Sequence, residues 1–262
     1  MNTLPSQPSA ERGAFSSFEA CRNTQKGPVV ILASGASARH FPLGDFAHLP
    51  VIAMNGSVSL TAACGVRPFF YVCTDTSFPK QQPELFATAL RQSQRLALWP
   101  EQFADAAVPR GTECYPLHKA DTPGVLDGLR GGGSHHVCNR ALWSKRGRSI
   151  AFSKDMSNGY YDARTVAFVA LQLAYHLGFE QVLLVGVDLD QGAGRFYEDG
   201  NAQVSPCGLD QHWGSRILPS LTLMAEQVVN EQFRVYNLSQ QSRIPEQLIP
   251  KIGLDEARRI AA

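Results

Sequence analysis

Three side chains in the second half of the chain have the types that group transfer needs. Asp188 follows the apolar run QVLLVG in Gly186-Val187-Asp188, and a glycine-rich stretch then carries Arg195-Phe196-Tyr197. A guanidinium and a phenol can both hold a departing phosphate. His212 stands in GLDQHWGSR, just before a helical pattern. An imidazole beside a site can take a proton from an attacking hydroxyl near neutral pH, although a lone histidine also serves structure. Nearer the N-terminus, VVILA runs into Ser34-Gly35-Ala36-Ser37. A dinucleotide loop needs G-x-G-x-x-G and an acidic residue after the second strand. Here there is one glycine, and the second strand ends in Asn55. NAD binding is therefore disfavoured, and no Walker sequence is present. Small residues still let backbone approach a ligand, and serine hydroxyls bind sugar or phosphate oxygens. The competing reading is a plain tight turn.

Further polar residues sit at similar places. Asn55-Gly56-Ser57 follows a strand and opens a helix, where an amide can bind a ribose hydroxyl or a base edge, or merely cap the helix. Asp75 ends the aromatic strand RPFFYVCTD, as a hydroxyl binder or a cap. Ser157-Asn158-Gly159 precedes a long apolar helix whose N–H groups suit an anion or carboxylate, with Lys154 and Arg164 nearby as added charge or as solvated side chains. His135 and His136 lie in RGGGSHH without a third metal ligand at usable spacing, so solvated loop histidines are expected and no metal site is. Arg39 and His40 read as solvated helix residues.

These residues need a frame that brings them together. PVVILA, LPVIAMN, RPFFYVCTD, RLALW, QVLLVG and FRVYNLS read as strands, and helical patterns alternate with them. The segment from about Asp162 to Leu177 is apolar nearly all round, with Asp162 as N-cap and Gly178 as terminator. Alternation predicts an α/β, Rossmann-like, mostly parallel sheet with helices on both faces. Ligands in such folds bind outside the carboxyl ends of the strands. Five polar segments are expected to meet on that rim: 34–37, 55–57, 74–75, 153–159 and 188–190. Residues 1–26 look like a flexible N-terminal arm, and 27–262 like a single domain. Between about 111 and 148 the periodicity fails, which predicts a flexible lid insertion.

Composition narrows the classes. The chain has 262 residues and a formal net charge of +1, so no global field points to nucleic acid. Its six cysteines form no CxxC pair, which predicts reduced and mostly buried thiols. Residues 1–27 lack the apolar core of a signal peptide, and no apolar run approaches the ~18 residues of a membrane span. A cytoplasmic protein is expected, with peripheral contact at the inner membrane left open.

VIAMNGSVSL, RPFFYVCTD, the stretch from AFSKDMSNGYYDARTVAF to LLVGVDLD, and GRFYED together resemble the lipopolysaccharide-core Kdo (3-deoxy-D-manno-octulosonic acid) transferases of the WaaZ (RfaZ) type. The likeness covers most of residues 28–240. More distantly, the pattern is similar to the bacterial sialyltransferases with one Rossmann-like domain and a lid. These resemblances imply a glycosyltransferase that moves Kdo from CMP-Kdo, as co-substrate and without further cofactor, onto a Kdo-bearing lipid A acceptor. Ser34, Gly35 and Ser37 would line the CMP part of the donor, and Asn55 would contact the nucleotide. Ser157 and Gly159, flanking Asn158, would hold the cytosine or the sugar carboxylate, and Asp188 would shape the ribose end. Tyr197 would bind the leaving phosphate, and His212 would be the base. The sialyltransferase loop usually carries Asn where Ser34 stands, and often Tyr near the place of Asp190. Leaving-group stabilisation then rests on Tyr197 and Arg195.

CMP carries a single phosphate, so neither an Asp-x-Asp metal site nor a diphosphate cradle is required. The basic run Lys145-Arg146-Gly147-Arg148 would meet the anionic acceptor or the membrane surface. Two other readings compete: a sialyltransferase or other CMP-acid-sugar transferase of the same fold, and a non-catalytic nucleotide-binding protein.

Overall fold

Val29 and Ile31 of strand β1 (Pro28–Leu32) face one hydrophobic cluster, Val30 and Leu32 the other, and all four are fully buried. A strand apolar on both faces has to be covered on both, which is the condition for a parallel sheet between helical layers. The computed structural model describes residues 15–104, 106–198 and 208–262. The further strands are β2 (Val51–Met54), β3 (Phe70–Cys73), β4 (Arg95–Leu98), β5 (Glu113–Pro116), β6 (His136–Cys138), β7 (Ala151–Ser153), β8 (Gln181–Val185) and β9 (Arg234–Asn237). Seven form one sheet in the order β5-β4-β3-β2-β1-β8-β9, with every pair parallel. The chain starts in the middle, winds outward to β5, then returns to β1's other side as β8. The strand order therefore reverses between β1 and β8, and a crevice opens there at the carboxyl ends. This is the α/β Rossmann-like fold that the alternation predicts.

The buried helix runs Val166–Leu177, not from Asp162. Thr165 is its N-cap residue. Asp162 instead takes the Arg164 N–H on one oxygen and pairs with Lys119 at 2.8 Å on the other. It thus closes a turn one step before the helix. The C-terminus is as expected: Gly178, at φ 95°, caps the last turn in a conformation that suits glycine.

Half of the expected loose arm is packed. Phe18 and Cys21 are buried, Phe18 meets Tyr115 and His176, and Arg22 pairs with Asp155. An aromatic ring in a polar stretch is enough to dock it. Residues 1–14 lie outside the described residues. Within 111–148, residues 113–116 are the edge strand β5 rather than lid, hidden in the sequence because only Tyr115 of the four is buried. The rest forms a helix Val125–Arg130, β6 and a short helix Lys145–Arg148. Arg148 knits these together by donating to the carbonyls of Pro123, Ala141 and Leu142. β6 pairs with β7, antiparallel, in a small separate sheet.

The five described cysteines are free thiols, three of them buried, and Cys207 lies outside the described residues. No described helix is long and apolar enough to cross a membrane.

Candidate active site

Where β1 and β8 diverge, their following loops must pass each other closely. Gly35 N donates to Gly186 O at 2.9 Å, and Phe196 N to Ser34 O at 3.1 Å. A Cβ on Gly35 would stand 2.5 Å from both Asp188 Oδ2 and Gly186 O. Gly35 thus has ordinary backbone (φ −61°) and is needed for space. The neighbour its missing side chain admits is Asp188, rather than a ligand. Asp188 is buried and accepts from the Ser37 amide (3.0 Å) and from the Ser37 hydroxyl. That hydroxyl also bonds Ser239 at 2.8 Å. A hydroxyl has one hydrogen, so Ser37 donates to the carboxylate and accepts from Ser239.

The crevice is a cavity of about 700 Å³ at the carboxyl ends of β1, β2, β3 and β8. That is the volume range of small-molecule sites. Of the sequence-predicted residues, Ser34, Gly35, Asn55, Asp75, Asp188, Arg195 and His212 line it. Four of the five rim segments therefore meet. The fifth, 153–159, does not, because β7 belongs to the small antiparallel sheet and its end is not on the parallel rim. Ser157 bonds Glu19, Asn158 bonds Asp155, and Gly159 lets residue 120 approach: a Cβ there would stand 2.6 Å from Ala120 N. Ser37 sits outside the cavity wall, behind Asp188. Tyr197 also misses the wall. Its ring lies on Gly56, where a Cβ would come within 2.0 Å of it. Burial raises its phenol to about 12, more than Arg195 lowers it, so it is a neutral donor and not a base.

Asn55 is the most telling wall residue. Its φ is 47°, and its side-chain Oδ1 is buried without a hydrogen-bond partner among the described residues. A buried acceptor left unpaired costs roughly 1–3 kcal/mol, which a donor on a ligand removes. Strain gathers at the same place. Of four non-glycine residues at positive φ among the described residues, three line the cavity: Asn55, Arg164 (65°) and Leu189 (53°). Such conformations cost about 1–3 kcal/mol each and concentrate at functional sites.

Several wall residues escaped the sequence reading as site residues. The buried helix opens on the cavity through Thr165, Val166 and Ala167, and the Thr165 side chain makes no cap bond. The first-turn N–H groups and the helix dipole therefore form an anion-favouring end, beside exposed Arg164. This is the role expected of residues 157–159, moved to the true start of the helix. Glu198 pairs with Arg195 at 2.6 Å, and the spacing of three in RFYE was a readable signal. Ser239 gave none, being 202 residues from Ser37.

Among the described residues five carboxylates line the cavity, yet each has internal partners. Asp188 holds Ser37, Asp75 takes the Ser77 amide and hydroxyl, Asp162 pairs with Lys119, Glu198 with Arg195, and Asp190 takes the Gly192 amide. The wall is thus less hostile to an anion than its acid count suggests. His212 ends a short helix (Leu209–His212) that continues as a π-turn, Trp213–Ile217. Such bulges re-aim side chains and recur at functional sites.

His135, His136 and Arg39 are not merely solvated, whereas His40 is exposed as expected. His135 Nδ1 lies 3.0 Å from Asp155, and His136 is partly buried against Tyr161, its pKa lowered mainly by burial. Arg39 donates to Phe196 O at 3.0 Å and so anchors the loop that carries Arg195.

The sequence matches a family model described as 3-deoxy-D-manno-octulosonic acid transferase WaaZ over residues 17–255. It is 30% identical over 238 residues to a probable 3-deoxy-manno-octulosonic acid transferase of Salmonella typhimurium, covering 87% of each chain. A protein of the same description from Escherichia coli is 28% identical over 241 residues, covering 87% of this chain and 83% of that one. Among solved structures, the chain resembles the MAf glycosyltransferase of Magnetospirillum magneticum, with a TM-score of 0.52 and 14% identity. That match covers 88% of this chain but 34% of the other, and it speaks for the fold alone. The sialyltransferase CstII of Campylobacter jejuni, solved with cytidine-5'-monophosphate, aligns more loosely, at a TM-score of 0.47 and 13% identity over 86% of this chain and 84% of its own.

Proposed function

The chain belongs to the WaaZ family of Kdo transferases, glycosyltransferases of lipopolysaccharide biosynthesis, and from that premise we propose that it moves Kdo from CMP-Kdo onto the Kdo region of the inner core. The observation that carries the donor assignment is the unpartnered Asn55 Oδ1 in the wall of the switch-point cavity. A cytosine amino group or a ribose hydroxyl supplies the missing donor. The opposite need, for cations and N–H groups, is met by Arg195, Arg164 and the start of the helix Val166–Leu177. A nucleoside monophosphate ester of an acid sugar offers both kinds of group in one molecule.

In this reading the phosphate and the sugar carboxylate lie toward Arg195, Arg164 and the helix N-terminus. Charge that builds on the departing CMP is held by the guanidinium of Arg195, which Glu198 and the Arg39-anchored loop keep in place. Asp188 acts with Ser37 and Ser239 to hold the β1 and β8 loops at the spacing the donor needs. His212, also in the wall, takes the proton from the acceptor hydroxyl. The anomeric carbon becomes oxocarbenium-like, and a carboxylate on the sugar itself eases that charge. Tyr197 serves through packing: its ring on Gly56 backs the loop that bears Asn55. A single phosphate held by two guanidiniums and a helix end calls for no metal, so turnover should persist in a chelator.

The test is CMP release with CMP-Kdo or CMP-sialic acid and a Kdo-lipid A acceptor, with and without EDTA. Turnover with CMP-sialic acid alone would overturn the donor assignment, and loss in EDTA would overturn metal independence.

A further inference from the structure

The segment between β5 and β7 carries an unusual surface. The helix Val125–Arg130 packs inward at Gly128, where a Cβ would stand 2.6 Å from the Arg148 side chain and 3.9 Å from Leu142. Its other flank has no cover. Val125, Leu126 and Leu129 share one face by their spacing, and they are 57%, 67% and 61% exposed. The residue after Leu142 is Trp143, 99% exposed. These make up four of the six large apolar side chains that stand exposed among the described residues.

Charge accompanies them. Residues 124–148 hold five cations (Arg130, Arg140, Lys145, Arg146, Arg148) against one carboxylate, Asp127, although the whole chain is nearly neutral. Arg130, Arg140, Lys145 and Arg146 are exposed. Asp127 is turned to the helix start, where it accepts the Gly124 amide at 2.9 Å. Aliphatic side chains, a bare tryptophan and a ring of cations suit the boundary between acyl chains and anionic headgroups.

The patch is coupled to the cavity rim. Arg216 donates to Ser149 Oγ at 2.7 Å, just past the basic helix, and to Asp162 O at 3.1 Å. Asp162 lines the cavity.

We propose that the segment 124–148 docks on an anionic phospholipid surface through Val125, Leu126, Leu129 and Trp143, with Arg130, Arg140, Lys145 and Arg146 on the headgroups. This rests on the reading of the acceptor as a lipid-borne sugar, because docking there brings the cavity rim to the membrane that carries it.

Flotation of the full chain with phosphatidylcholine vesicles, with and without phosphatidylglycerol, tests it. Binding should require phosphatidylglycerol and weaken severalfold or more in L126Q/L129Q, in W143A and in K145E/R146E, with folding checked by circular dichroism. Equal binding to neutral and anionic vesicles, or unaltered binding by all three variants, would overturn the proposal. So would a wild-type dimer that L126Q/L129Q converts to monomer, since the face would then be covered by a second copy. Transfer to a deacylated, water-soluble Kdo acceptor separates the two readings. L126Q/L129Q should retain it while losing severalfold or more on acceptor held in vesicles. Vesicle binding by a chain that turns over neither acceptor would leave docking standing and sink the transferase reading instead.

Discussion

Two buried aspartates stand just past strand ends in this molecule, and they have opposite fates. Asp155, after β7, is 2% exposed and its acceptor sites are filled by the protein. Arg22, His135 and Asn158 reach Oδ2 at 3.0–3.1 Å, and the Ser157 amide reaches Oδ1. Burial pushes its pKa up, but these donors and the Arg22 charge outweigh it and leave the carboxyl below its ordinary range. His176 Nδ1 lies 3.6 Å from Asp155, yet it accepts the Met156 amide at 3.1 Å while Nε2 donates to Phe18 O. That geometry makes it a neutral imidazole, and no ion pair is formed. Asp188, after β8, is 5% exposed, holds one residue's amide and hydroxyl, and still forms cavity wall. The first is a strut that pins the N-terminal segment; the second borders a space built for something else. Burial does not separate them. What separates them is which sheet the preceding strand joins.

The comparison breaks if variants of the two regions fail in the same way. His212→Ala should have the largest effect, a ~10²–10⁴-fold loss of turnover with the thermal midpoint unchanged. Steady-state rates beside calorimetry check it, and a drop in midpoint of several degrees would make His212 structural. Asp155→Ala should do the reverse. It strands Arg22, Asn158 and a backbone amide, and should cost about 3 kcal/mol in urea unfolding while kcat/KM of the folded protein stays put.

Asn55→Gly sharpens the contrast, because glycine keeps the positive φ and removes only the amide. Affinity for the CMP donor should fall about tenfold by titration calorimetry, with stability held within ~1 kcal/mol.

Acid titration probes the strut chiefly through His176. Burial, only partly offset by the Phe18 carbonyl and Asp155, holds His176 below its ordinary 6.5. The unfolded chain therefore takes up the proton first. Stability that is full above about pH 6.5 is lost as the pH falls below it and through the lowered pKa of the folded state. His176→Gln should flatten that slope, leaving a residue from His136, which burial also lowers. The Asp155 contribution has the same sign at lower pH: it is present above 3.8 and lost below. An unchanged slope in His176→Gln would remove this histidine from the account. The smallest effect belongs to Tyr197→Phe, less than about threefold on kcat/KM, since the ring rather than the hydroxyl fills the space over Gly56.

Much of this architecture was legible in the chain. Continuous apolar runs set β1, β2, β3, β4 and β8, because a strand buried on both faces has no polar side to show. β5 was not legible: an edge strand with one buried residue in four lacks that signature. The start of the buried helix was missed by four residues because Asp162, a good capping type, spends both oxygens on a turn and on Lys119.

The site divides along the same line. Ser34, Gly35, Asn55, Asp75, Asp188, Arg195 and His212 were readable as polar groups at strand ends or near helix starts, and parallel topology alone brings most of them to one rim. Residues 157–159 looked equivalent in composition and went elsewhere, since an antiparallel pairing with β6 is a tertiary choice that strand character does not encode. Composition and periodicity thus determined that this chain forms a parallel sheet with polar strand ends, because hydrophobic burial is local in its pattern. Tertiary structure decided which polar ends face a cavity and which are consumed as struts: that outcome depends on partners such as Ser239 and Arg22, far off in the chain, whose hydrogen bonds leave no local trace.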